Sequence, residues 1–152
     1  MNLIALLNYV ANQPEVLRHV APGYANIDLT AFCTKPGNYI MGDEGGCVIF
    51  APSTANSTVY EMHYLLTNDI RGRDALYFTR FCLELMFTKQ GATAITGLTP
   101  RDNRAARAMN RALGARPVGE QTDIFGRLCI KYVLEREQWV QFSAASSAVS
   151  VH

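Results

Sequence analysis

A surplus of either charge is missing from this chain of 152 residues. Fourteen Lys and Arg stand against thirteen Asp and Glu, a formal net charge of +1 at pH 7, which excludes the electrostatic footprint of a dedicated nucleic-acid binder. Any basic patch must be local. The four cysteines, Cys33, Cys47, Cys82 and Cys129, include no Cys-x-x-Cys pair, and each lies in an apolar stretch where a free thiol acts as a small hydrophobe. A reducing compartment, cytoplasmic in character, and no metal site are therefore expected. No apolar run is long enough to cross a bilayer. The opening MNLIALLNYVA lacks the basic start of an export signal, and Asn8 and Asn12 break up its apolar character, so neither export nor a membrane role is expected.

What is present suits a single globular domain. Hydrophobic residues make up 49% and charged residues 18%, a balance that can bury a core at this length. Leu3, Ile4, Leu6, Leu7 and Val10 follow helical spacing, and Pro14 suits the first turn of a second helix reaching His19. Residues 24–37 read as a connector. Two short strands, Asn38 to Met41 and Cys47 to Phe50, bracket the turn DEGG, and a third runs from Thr58 to Leu66. Ala75, Phe78, Cys82, Leu85 and Met86 then keep helical spacing, with Arg80 and Glu84 an i, i+4 pair on the outer side. A buried strand over Ala92 to Leu98 follows. Asp102 is the expected N-cap of a helix ending at Leu113 and Gly114, and strands near Arg116 to Gln121 and Arg127 to Leu134 close the domain. The expected organisation is one α/β domain over residues 1–142, with a small polar tail over 143–152 that has no periodicity to bury.

The loop IRGRDAL lies between a strand and a helix. Backbone N–H groups at a helix start, the helix dipole and two arginines together make an anion site; the same loop also reads as a solvated turn capped by Asp74. Some thirty residues later comes DNRAARAMNRALGA, whose Ala105, Ala106, Met109, Ala112 and Leu113 form one apolar face with Asn103 and Asn110 at its edge. Arg104, Arg107 and Arg111 line the other side, either as a solvated face or as a docking stripe for an acidic partner or an outer phosphate.

From about Tyr39 to Leu134 the chain resembles the GNAT superfamily of N-acetyltransferases. The likeness rests on Arg71, Gly72 and Arg73 of the loop and on Asn103, Ala106, Met109 and Gly114 of the later helix. Within that superfamily the segment NQPEVLRHVAPG is most similar to small acetyltransferase-like proteins of phages and prophages. The resemblance implies a single-domain α/β GNAT-like fold with a mixed, mostly antiparallel sheet. Two of its central strands, Thr58 to Leu66 and Ala92 to Leu98, would be parallel and splayed, flanked by helices. It implies acetyl-CoA as co-substrate, its pantetheine arm along the backbone of Tyr64, Leu65 and Leu66 and beside Asn103. The pyrophosphate would lie on the amides of Gly72, Arg73, Asp74 and Ala75, with Arg71 and Arg73 as counter-charges. The sequence departs from the family pattern at Asp74, where a glycine is usual, and at Asn110, where a tyrosine is usual.

Acetyl transfer to an amine needs a base for the ammonium proton. Glu61 and His63 share one face of their strand, opposite Tyr60, Met62 and Tyr64, and are the candidates; each reads equally as a structural polar residue. Two functions stay open. One is direct acetyl transfer from acetyl-CoA to an unknown amine acceptor in the host cytoplasm. The other is a GNAT-fold module of a phage virion that has lost the cofactor and binds a protein partner through the tail and the arginine stripe.

Overall fold

The structure, a computed structural model, describes residues 2–43 and 45–141. Five helices and six strands follow in the order α1 (Leu3–Ala11), α2 (Pro14–Val20), α3 (Thr30–Thr34), β1 (Tyr39–Asp43), β2 (Gly46–Pro52), β3 (Val59–Leu66), α4 (Gly72–Thr88), β4 (Ala94–Pro100), α5 (Arg104–Ala112), β5 (Arg116–Thr122) and β6 (Leu128–Glu135). One sheet carries all six strands in the order β1-β2-β3-β4-β6-β5. Every neighbouring pair is antiparallel except β3 and β4. These two are joined through α4, as a parallel pair requires of its crossover.

Both faces of the sheet are covered, and the strand residues alternate between them. Val48 and Phe50 of β2 pack with Tyr60 under α4, together with Cys82, Leu83, Met86 and Phe87. Cys47 and Ile49 point the other way, with Leu65, onto Leu7, Val10 and Ala11 of α1 and Val16 of α2. The apolar run in β2 thus has no polar face because neither of its faces meets water.

The parallel pairing of β3 and β4 lasts for three positions, Val59↔Ala94, Tyr60↔Ile95 and Glu61↔Thr96. Beyond Thr96, β4 stays paired with β6 as far as Pro100↔Cys129, while β3 stays paired with β2 as far as Leu66↔Gly46. The two central strands therefore part at their C-terminal ends, as the family resemblance implies, and leave a cleft.

Several local expectations change. The connector over 24–37 contains α3, and the asparagines of α1 hold it down. Asn12 exchanges two hydrogen bonds of 2.8 Å with the backbone of Ile27, and the Leu29 N–H donates to Asn8 Oδ1 at 2.7 Å. The N-cap of α5 is Asn103, not Asp102: the Asn103 Oδ1 accepts the Ala106 N–H at 3.1 Å. Helix α4 starts at Gly72 with Arg71 as N-cap, so Asp74 lies inside the first turn rather than ahead of it.

Residues 136–141 add a helical segment that strand and helix periodicity did not reveal. Its Trp139 is buried, stacks on Phe87 at 5.8 Å between ring centroids, and donates its indole N–H to Glu84 Oε2 at 2.8 Å. The tail expected over 143–152 lies outside the described residues. No helix among the described residues is long and apolar enough to cross a membrane.

Candidate active site

The parting of β3 from β4 opens a cavity of about 830 Å³. Its walls are β3, β4, the inner face of α5, the connector before and within α3, and the hairpin loop between β5 and β6. Because β3 is regular along its whole pairing with β2, its parity is unbroken. Glu61 and His63 consequently share the face that Leu65 turns toward α1, and both line the cavity. Their side chains meet at 3.3 Å, Glu61 Oε1 to His63 Nε2, and both are a little under half exposed. The hydrogen bond from His63 is the main cause that draws the Glu61 carboxyl below its usual value; burial opposes it, and the charges of His63 and Lys131 add to it. The edge of the Phe32 ring rests against the imidazole, 6.1 Å between centroids.

On the opposite side of the strand, Tyr64 reaches across to α5. Its hydroxyl lies 3.0 Å from the Ala106 carbonyl and 3.1 Å from Asn110 Oδ1, and the Asn110 amide donates to Thr99 Oγ1 at 2.8 Å. Burial, the dominant influence, pushes this phenol well above its ordinary pKa, so it remains protonated through the whole neutral range. Asn110, where the resemblance leads one to expect a tyrosine, is buried at 4% exposure. The resemblance engages Tyr64 through its backbone only, so the role of its hydroxyl is missed by sequence reasoning. The one available signal is the asparagine itself, a polar residue on the apolar face of α5 that needs a partner.

The mouth of the cavity is built by the connector and the β5–β6 loop. Asp123 accepts the amides of Phe125 and Arg127, both at 2.9 Å, and pairs with Arg127 Nε at 2.8 Å. The Arg127 guanidinium also donates to the His19 carbonyl at 2.8 Å, tying this loop to the end of α2. Tyr24 meets Phe125 edge-on at 6.1 Å.

The loop after β3 approaches α4 in a defined shape. The Thr67 hydroxyl donates to the Gly45 carbonyl at 2.8 Å, and the Asp69 N–H donates to that hydroxyl at 3.2 Å. Arg71 reaches back to Asn68 Oδ1. Gly72 sits at φ +60°, a backbone conformation that glycine adopts without penalty. Behind it, the first-turn amides of α4 have no preceding carbonyl within the helix and face outward with the positive end of the dipole. Arg71, Gly72, Arg73 and Asp74 are exposed there, while Ala75 is buried. Tyr64 and Leu65 line the cleft, and Leu66 continues the strand toward this loop. Asn103 uses its carbonyl oxygen as the α5 cap and lies outside the cavity lining. In the arginine stripe, Arg107 donates to the Arg101 carbonyl at 3.0 Å, while Arg104 and Arg111 stay exposed. No cluster of His, Cys, Asp or Glu among the described residues is arranged to hold a metal ion.

Searches against protein-family models and against curated proteins find no match to this sequence. Solved structures do match its fold. Aminoglycoside acetyltransferase AAC(6')-Ib, solved with coenzyme A and kanamycin, superposes with a TM-score of 0.72 at 17% identity, covering 91% of this chain and 92% of that one. The chain has the GNAT fold. A T. thermophilus protein described as an acetyltransferase gives a TM-score of 0.71 at 21% identity, over 97% of this chain and 89% of that one. Spermidine N-acetyltransferase SpeG from Vibrio cholerae gives 0.63 at 13% identity, over 79% and 81%. The neighbours include acetyltransferases that bind coenzyme A. At these identities the likeness speaks for the architecture.

Proposed function

We propose that this protein is an acetyl-CoA-dependent N-acetyltransferase that transfers an acetyl group directly to an amine. The observation that carries the reading is the parting of β3 from β4 beside the Glu61–His63 pair. An acyl-CoA fits the residues present. The edge of β3 that leaves β4 supplies backbone groups in need of partners, at Tyr64, Leu65 and Leu66, for the amides of a pantetheine arm. The α4 start, with Gly72, Arg73, Ala75 and the Arg71 side chain, suits a diphosphate, against which Asp74 works as a like charge. Asn103 serves this site as the cap that orients α5.

The thioester supplies the acetyl group. Glu61 and His63 take up the proton that the incoming ammonium must lose, the carboxylate orienting the imidazole and stabilising its charged form. From the other side, the Tyr64 hydroxyl, kept protonated by burial, offers a hydrogen bond to the departing sulfur. The C–N bond forms as the C–S bond breaks, and no covalent enzyme intermediate is needed.

The segment NQPEVLRHVAPG supports a closer relation to phage- and prophage-encoded members, acting in the host cytoplasm. The second reading, a virion module without cofactor that binds a partner through its tail and arginine stripe, is favoured by one observation, the Asp74 carboxylate in the first turn of α4. Calorimetric titration with acetyl-CoA separates the two. Saturable binding, with thiol release that a Glu61→Gln, His63→Ala double variant abolishes while remaining folded, supports the enzyme. No binding of acetyl-CoA to the folded protein supports the module.

A further inference from the structure

The acceptor half of the cavity differs in charge from what a polycation needs. Three carboxylates face it, those of Asp28, Glu61 and Asp123. Both oxygens of Asp123 are already engaged, by the amides of Phe125 and Arg127 and by the Arg127 guanidinium. Glu61 is committed to His63. Asp28 gives one oxygen to Thr30, accepting its N–H at 2.9 Å and its hydroxyl at 2.6 Å, and to Asn8 at 3.3 Å. Only its second oxygen remains for a ligand. The cations on this wall are Arg127, neutralised by Asp123, and His19, whose pKa is lowered chiefly by burial and then by Arg18 and Arg127.

The rest of the mouth is apolar and aromatic. Tyr24 and Phe125 form one edge-to-face pair, Phe32 abuts His63, and Ile27 and Leu29 complete the wall. Ile124, at the tip of the hairpin loop, is 93% exposed beside the opening. Every ammonium brought in without a carboxylate partner would lose hydration uncompensated, whereas an apolar body would gain by leaving water.

Resting on the acetyl-transfer reading, we infer that the acceptor is a monoamine with an apolar or aromatic body, and not a polyamine or an aminoglycoside. Its amine lies by Glu61 and His63, and its body lies between Phe32 and the Tyr24–Phe125 pair. The test uses the full chain with 2-phenylethylamine, spermidine and kanamycin as probes. Thiol release from acetyl-CoA gives kcat/KM, and calorimetry gives the affinity for each amine alone. At least tenfold preference for 2-phenylethylamine in either measurement is expected. Tyr24→Ala, which removes a ring that is 61% exposed, should raise KM for that amine at least fivefold with kcat little changed. Preference for spermidine or kanamycin, or no binding of 2-phenylethylamine, overturns the inference and leaves acetyl transfer standing. Failure of acetyl-CoA to bind overturns the acetyl-transfer reading instead, and the amine affinities still decide the ligand class.

Discussion

The Tyr64 hydroxyl lies 3.1 Å from Asn110 Oδ1, so a phenol from the strand β3 meets α5 at the helix position where the family pattern leads one to expect a tyrosine. The asparagine cannot serve as a proton donor of that kind, but it holds one in place from across the cleft. The helix carbonyl of Ala106 shares the same hydroxyl at 3.0 Å. A departure from the family pattern in one element is thereby matched by a side chain from another.

Tyr64→Phe should reveal this arrangement. It leaves Asn110 Oδ1 and the Ala106 carbonyl short of a donor, a loss of about 1–3 kcal/mol for buried acceptors, read as a lower midpoint in urea. If the hydroxyl assists the leaving thiolate, kcat falls on the order of 10²-fold with little change in KM for acetyl-CoA. Equal kcat in the variant would assign Tyr64 a structural role only.

Asp74 lies in the first turn of α4, where a carboxylate favours the helix dipole and disfavours a bound diphosphate. Removing the charge with Asp74→Asn relieves about 1 kcal/mol of solvated repulsion at close range, so acetyl-CoA should bind roughly fivefold tighter by calorimetry. Unchanged affinity would move the diphosphate away from this helix.

Acid stability follows from carboxylates whose pKa values are depressed in the fold. Glu61 is lowered mainly by His63, and Asp28 mainly by the hydrogen bond from the Thr30 hydroxyl. A depressed carboxylate contributes stability that is present above its unfolded value, about 4. That contribution is lost as pH falls through the folded value. Thermal midpoints should hold from pH 7 to about 5 on the part of these groups and drop below about 4, with a shallower drop in Glu61→Gln. An identical acid profile in that variant would show that the His63 contact does not contribute to folding.

Trp139 closes the core from the C-terminal side, against Phe87 and Glu84 of α4. Trp139→Ala should cost about 3–5 kcal/mol, the range for deleting a large buried aromatic ring, measured by urea unfolding. Glu84→Gln retains an acceptor and should lose far less. A Trp139→Ala change within about 1 kcal/mol of the parent would mean that residues 136–141 are not part of the core.

The order and kind of the main elements are legible in the chain alone, because helical and strand periodicities are properties of neighbours three, four or two residues apart. The splayed pair is indicated there too, since strand, helix, strand in that order leads to a parallel crossover. The identity of the α5 cap is not, as Asp102 and Asn103 are both competent cap residues and only the backbone path selects between them. Neither is α3, whose connector is held by Asn8 and Asn12, residues that in the sequence merely interrupt an apolar run. Tertiary packing alone joins Tyr64 to Asn110 across 46 residues and Trp139 to Glu84 across 55. Such contacts are set by how β3 leaves β4 and by how the chain end returns to α4. Side-chain chemistry decides which groups need partners, and packing decides which partners they find.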